Sequence, residues 1–158
     1  MSTDVRPQYL FTTDNFIFGL AQFDHISTRG LYWRQTYGGG YGRELIKNWR
    51  TPFSVLGGLP YVHEKFFNGG WDDSADALIG EKLSYQLSER VRLDHKFNFY
   101  PNLSNTGEYR FDTATTFSAK LAGKFSLNAG VIDLYLSTPP AGNKNNSVTF
   151  TTGIGYSF

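Results

Sequence analysis

Cysteine is absent from this 158-residue chain, which excludes a disulfide scaffold or a thiolate metal site and is compatible with an oxidising envelope. Long apolar runs are absent too. No stretch reaches the ~18 residues that a membrane-crossing helix needs, so a helical span is excluded, whereas a β-barrel requires only alternation. Neither sign of charge dominates: 15 Lys and Arg stand against 14 Asp and Glu, a formal net charge of +1, which gives no reason to expect nucleic acid as a partner. The opening Met1-Ser2-Thr3-Asp4-Val5-Arg6 has neither a basic n-region nor an apolar h-region. If the protein is exported, this chain is expected to be the mature part with a start codon added.

What the chain does contain suits strands. Aromatics make up 17 % of residues, with 17 glycines and 10 tyrosines, a composition for strands, turns and interfacial belts rather than helices. Mean hydropathy is negative. The ending Thr151-Thr152-Gly153-Ile154-Gly155-Tyr156-Ser157-Phe158 sets a polar residue, then a glycine, then two aromatics at alternate positions. Val148, Phe150, Thr152, Ile154, Tyr156 and Phe158 share one face of a strand, and Thr149, Thr151, Gly153, Gly155 and Ser157 the other. This ending resembles the C-terminal assembly signal of bacterial outer-membrane β-barrels, carried by Thr151, Gly153, Tyr156 and Phe158; a soluble domain ending in an edge strand is the alternative.

Backwards from that terminus, alternating segments recur with a period of about 18 residues. They predict strands over residues 15–25, 31–45, 52–66, 75–87, 91–100, 109–122, 125–137 and 147–158, with residues 1–14 a lead-in and 15–158 a single domain. The fold expected is all-β, an up-and-down antiparallel β-barrel of the eight-stranded transmembrane type, closed so that no edge is exposed. Connections at 47–50, 88–90 and 123–124 are brief, whereas 68–73, 101–108 and 138–146 are longer and rich in Gly, Pro and Asn, matching short periplasmic turns and long outer loops. The short turn Ser27-Thr28-Arg29-Gly30 is the exception.

Faces sort by parity. Trp33, Tyr37 and Tyr41, then Phe53, Val55, Leu59 and Tyr61, then Tyr109, Phe111, Phe117, Ala119 and Leu121 form the expected lipid-facing sets. The opposite faces carry small residues with charges of both signs, and Arg34, Glu44, Glu64, Arg110, Asp112 and Lys120 are expected to form a polar network filling a narrow lumen. Glu81 resists: it shares a face with Ala77, Ile79, Leu83, Tyr85 and Leu87, which calls for a bulge or a local failure of the membrane reading. Alternation alone does not say which face is inside. A soluble lipocalin-like barrel binding an apolar small molecule would invert the faces and line its pocket with Trp33, Tyr37 and Phe117.

The stretch Leu31-Tyr32-Trp33-Arg34 through Tyr37-Gly38-Gly39-Gly40-Tyr41-Gly42, the segment Gly58-Leu59-Pro60-Tyr61-Val62-His63-Glu64, and Pro139-Pro140-Ala141-Gly142 followed by the terminal strand resemble the salt-induced outer-membrane protein family, a domain of unknown function. The resemblance runs from about Asn15 to Phe158. It implies an envelope β-barrel with no assigned activity and no catalytic residues to carry over, in a family whose members usually begin with a signal peptide and further residues.

Catalytic constellations are nearly absent. Asp24-His25, His63-Glu64 and Asp94-His95 each set a histidine beside an acid, but neighbours on a strand point to opposite faces, so no pair converges on a site. The set of serine, histidine and acid that a lipid-modifying enzyme needs is missing. Gly38-Gly39-Gly40-Tyr41-Gly42 lacks the Lys-Ser/Thr of a phosphate loop and suits barrel curvature. Trp71, Asp72 and Asp73 read as a solvated turn, or as a sugar or cation site on an outer loop. The expected protein is therefore a small bacterial outer-membrane barrel with a structural, anchoring or envelope-stress role. No enzyme activity, cofactor or metal is expected, and the partners are lipid bilayer or detergent and the outer-membrane barrel assembly machinery.

Replacing Tyr156 and Phe158 with Ser, in a chain bearing a signal peptide, is expected to lower outer-membrane levels sharply while leaving refolding into detergent largely intact. Fractionation and immunoblotting check this; equal membrane levels would remove the assembly reading of the terminus.

Overall fold

The computed structural model describes residues 2–26, 31–67, 69–121, 124–139, 142 and 144–156. The turn Ser27-Thr28-Arg29-Gly30, Asn68, Gly123, Pro140, Ala141, and Ser157 and Phe158 of the terminal signal lie outside the described residues. Twelve strands form a single sheet with no helix among the described residues: β1 Ser2–Val5, β2 Gln8–Leu10, β3 Asn15–Ile26, β4 Leu31–Ile46, β5 Phe53–Gly58, β6 Tyr61–Phe66, β7 Trp71–Ala75, β8 Leu78–Ser88, β9 Val91–Pro101, β10 Tyr109–Lys120, β11 Phe125–Leu136 and β12 Asn146–Tyr156. Every strand pairing is antiparallel.

The third expected strand is broken, and for a physical reason. Proline has no N–H to give to a ladder. Pro60 interrupts the third expected strand into β5 and β6, and its carbonyl accepts the Asp76 N–H at 2.9 Å, so the break passes to the neighbouring strand between β7 and β8. Pro7 likewise separates β1 from β2, and its carbonyl accepts the Gly19 N–H at 3.0 Å. The residues read as a loop at 68–73 are partly strand: Trp71, Asp72 and Asp73 pair with Lys65, Glu64 and His63. Loop asymmetry at that hairpin is accordingly smaller than the sequence suggested.

The closed eight-stranded barrel is not what the described residues form. Residues 1–14, expected as a lead-in, supply β1 and β2, and both pair with β3. The edge of β3 that would have received β12 is therefore covered. Among the described residues β12 pairs with β11 alone. The sheet path β1-β3-β4-β5-β8-β9-β10-β11-β12 is open at both ends. Because each step along it is antiparallel, β1 and β12 run the same way, and joining them directly would require a parallel pair.

The faces separate cleanly. Phe16, Gly42, Leu56, Gly80, Asn98 and Asp112 are successive cross-strand partners from β3 to β10, and every buried strand residue shares their face. Phe16, Phe18, Leu20, Leu56, Leu78 and Tyr100 form its apolar centre. The sheet curls around this face, which is concave. Glycines permit the curl: a Cβ on Gly40 would lie 2.2 Å from the Gly57 carbonyl oxygen and 2.7 Å from Phe18 Cζ, and one on Gly42 would lie 2.1 Å from Phe16 Cζ.

The register through Glu81 is unbroken, since the β8–β9 irregularity falls between Gln86 and Ser88. No bulge resets it. Glu81 stays on the convex face, opposite Val55 and Phe97, in a row that also holds Arg43, Thr113 and Asp133.

Gly40→Ala is expected to lower stability by about 1–3 kcal/mol through overpacking against backbone. Gly153→Ala, whose added methyl meets nothing within 4 Å, should stay within ~0.5 kcal/mol of wild type. Denaturant unfolding of both variants checks this, and equal effects would contradict the close approach of β4 to β5.

Candidate functional site: the polar concave face

Polar side chains on the concave face fall into two groups, separated by the aromatic centre. Near the end carrying loops 102–108 and 137–145, Arg34 of β4 faces Glu64 of β6 and pairs with it. Arg34 is 8 % exposed, so this ion pair is desolvated and is held by charge-assisted hydrogen bonding. Asp76, in the break between β7 and β8, is buried, and Arg110 Nε lies 3.5 Å from its Oδ2. The Arg110 guanidinium sits 4.1 Å from the Tyr100 ring centroid, a desolvated cation–π contact. Asn98, also buried, lies in the row of Phe16 and Leu56 between the two groups and donates to Asp112 Oδ2 at 2.7 Å.

At the other end, where β8 turns into β9, Arg92 Nε donates to both Asp94 oxygens at 2.9 and 3.0 Å and Arg92 Nη2 donates to Ser84 Oγ at 3.0 Å. Ser84 Oγ donates in turn to Asp94 Oδ1. A cavity of about 540 Å³ opens beside them, bordered by Arg6, Phe16, Leu56, Lys82, Arg92 and Lys96 among others. Lys47 Nζ bonds Asp14 Oδ1 at 2.8 Å at its margin, and this hydrogen bond holds the Asp14 carboxyl below its ordinary value. Its small stabilisation is present near neutral pH and is lost as acid protonates Asp14 through that lowered value.

Over residues 1–158 the sequence matches the family described as "Protein of unknown function, DUF481". The chain belongs to the DUF481 family. No curated protein and no solved structure matches it. The family description names no activity, substrate or location.

Within this DUF481 sheet the residues expected to form one network are dispersed. Arg34 and Glu64 meet, Arg110 joins them through Asp76, and Asp112 is held by Asn98. Glu44 lies at the opposite end, 3.8 Å from Lys47 Nζ. Lys120 is exposed at the end of β10, opposite Ser126, and belongs to neither group. Of the terminal signal, Thr151 and Gly153 face Gly130 and Asn128, and Tyr156 packs on Phe125 with ring centroids 5.1 Å apart. Asp76, Asn98 and Ser84 were missed. Arg92 and Asp94 carried a usable signal, since opposite charges two residues apart on a strand share a face.

Histidine neighbours diverge as parity requires. Glu64 turns to Arg34, while His63 finds its acid across the β6–β7 pair in Asp73, on the convex face. Trp71 stacks on His63 at 4.8 Å and carries Lys65 Nζ 4.6 Å from its ring, so it belongs to an aromatic and cationic cluster. His95 Nδ1 lies 2.8 Å from Thr115 Oγ1. Among the described residues no group of three His, Cys, Asp or Glu is placed to hold a metal ion.

Removing one member of the desolvated ion pair strands the other charge, so Arg34→Ala should destabilise by about 3 kcal/mol. Arg34→Met combined with Glu64→Leu removes both charges and should recover most of that loss. Unfolding free energies of the single and double variants check this; a double variant as unstable as the sum of the singles would show that packing, not charge, holds the site.

Proposed function

We propose that this DUF481 protein is a small bacterial outer-membrane β-barrel with a structural, anchoring or envelope-stress role, a narrow polar interior and no catalysis. One observation carries the reading: the two faces of the sheet have opposite character. Large apolar side chains such as Tyr41, Ile79, Tyr85, Phe117, Phe150 and Ile154 stand exposed on the convex face, while the concave face buries ion pairs. A monomer in water rarely exposes a continuous apolar face. A bilayer removes that penalty. Trp33, Tyr61 and Trp71 with Lys65, clustered toward the long-loop end, suit the headgroup level, where aromatic rings and cations anchor a barrel.

The row through Arg43, Glu81 and Asp133 is the cost of this reading. Against the roughly 2–4 kcal/mol of a midplane Lys or Arg, an acid costs less, and each large apolar side chain buried nearby returns about 1.5–3 kcal/mol. Open sheet edges at β1–β2 and β12 would leave unsatisfied backbone groups in lipid at several kcal/mol each, so the proposed barrel closes by further strand pairing. The proposed partners are bilayer lipid and the barrel assembly machinery. A lipocalin-like carrier would need Tyr37 and Phe117 inside, and their 41 % and 39 % exposure on the convex face weighs against it.

Phe117→Arg is expected to destabilise the protein in lipid vesicles by about 2–4 kcal/mol, and Ser118→Arg, on the concave side, to be governed by local space and charge. Refolding yields and vesicle-quencher accessibility check this. Unchanged folding of Phe117→Arg with a solvent-accessible label at residue 117, or a monodisperse protein without detergent, would reject the membrane barrel.

A further inference from the structure

Charges of opposite sign stand on the convex face, one on each side of a single valine. Arg43 of β4 lies opposite Val55 of β5, and Val55 lies opposite Glu81 of β8. Among the described residues neither Arg43 nor Glu81 makes a salt bridge or a side-chain hydrogen bond. The Arg43 charge is felt by Asp14, but that carboxylate is bonded to Lys47 at 2.8 Å. Glu81 borders the inner cavity as well, while its register sets it on the convex face.

The rows above and below are apolar. Tyr41, Gly57 and Ile79 are cross-strand partners one row toward the long loops, and Ile46, Phe53 and Leu83 one row toward the short turns. Tyr41 and Ile79 are exposed, and Gly57 leaves a gap between them, where an added Cβ would meet nothing closer than 3.6 Å. A small residue at such a place lets a second surface approach closely in lipid. Neighbouring strands lie about 4.8 Å apart, so Arg43 and Glu81 flank Val55 at equal distances. Asp133, in the same row, is three strands beyond Glu81, and the curl carries it away from this patch.

We propose that this patch is the interface between two copies of the chain in the bilayer, related by a two-fold axis along the membrane normal over Val55, with Arg43 of each copy paired to Glu81 of the other. Rotation about that axis exchanges left for right within a row, so each arginine meets a glutamate and Val55 meets itself. Strand tilt of roughly 35–45° offsets the paired residues along the normal by about 6 Å, which two long charged side chains span. Ionisable groups at membrane depth pair with one another, and here the pairing covers two charges that would otherwise face lipid. Another protein would have to reproduce this spacing of charge, whereas a second copy does so by symmetry. The interface rests on the membrane reading of the convex face.

Sedimentation equilibrium of the full chain in a density-matched neutral detergent tests it. Wild type should have the mass of a dimer, and Arg43→Glu and Glu81→Arg, which bring like charges together, should each weaken association by at least about tenfold. An equimolar mixture of the two variants restores both ion pairs and should recover the dimer, which an ion pair within one chain could not do. Lys120→Glu reverses a charge outside the patch and should associate as wild type. Circular dichroism checks the fold of each variant; where a reversal does not fold, Arg43→Gln and Glu81→Gln remove the charge at similar size and should each weaken the dimer by about tenfold. A monomeric wild type, single variants that associate as wild type, an equal loss in Lys120→Glu, or a mixture that stays monomeric would overturn the interface. A chain monodisperse without detergent would instead defeat the membrane reading itself, so the two failures are told apart.

Discussion

The rings of Phe16 and Phe18 lie on a floor of glycines, and the rest of the sheet follows from that contact. Gly42 leaves no room beneath Phe16, and Gly40 and Gly58 approach Phe18 Cζ so closely that added Cβ atoms would sit 2.7 and 3.2 Å away. A strand bearing side chains at those positions would have to stand off from its neighbours, and the curl would flatten. Close approach instead lets Leu56, Leu78 and Tyr100 complete a small apolar centre on a face that also carries the buried polar groups Arg34, Ser84 and Asn98.

That centre divides the concave face electrostatically. On one side, Arg34 sits opposite Glu64 across the strands and Arg110 Nε lies 3.5 Å from Asp76 Oδ2, so each arginine has an acid near it. On the other, Arg92 pairs with Asp94 beside Ser84, and Lys82 faces Lys96 across β8 and β9. The same alternation that hides charges within the curl sends apolar side chains outward, so the inner polarity and the outer apolarity are two results of one two-residue period.

Much of this was legible in the chain. Seven of the eight predicted segments each match one strand among the described residues with boundaries shifted by a few residues, and 52–66 divides into β5 and β6, because alternation and turn chemistry are local signals. The ends of β7 were not legible, since Trp71, Asp72 and Asp73 look like turn residues until β6 supplies their partners. Nor was the role of residues 1–14, whose strands are short and are held by β3 rather than by their own pattern. Arg34 and Glu64 were singled out individually, but Asp76 gave no local sign that it would meet Arg110, which is brought to it through β8 and β9.

By itself the sequence determined that the protein is built of strands, where most of them run, and which side chains share a face, because those properties repeat every two residues along a single segment. Only the tertiary structure decided which face curls inward, where the sheet stays open, and which charges meet. Those outcomes depend on how far apart in the chain the paired strands lie and on how closely their backbones can approach, and neither quantity is written in any one segment.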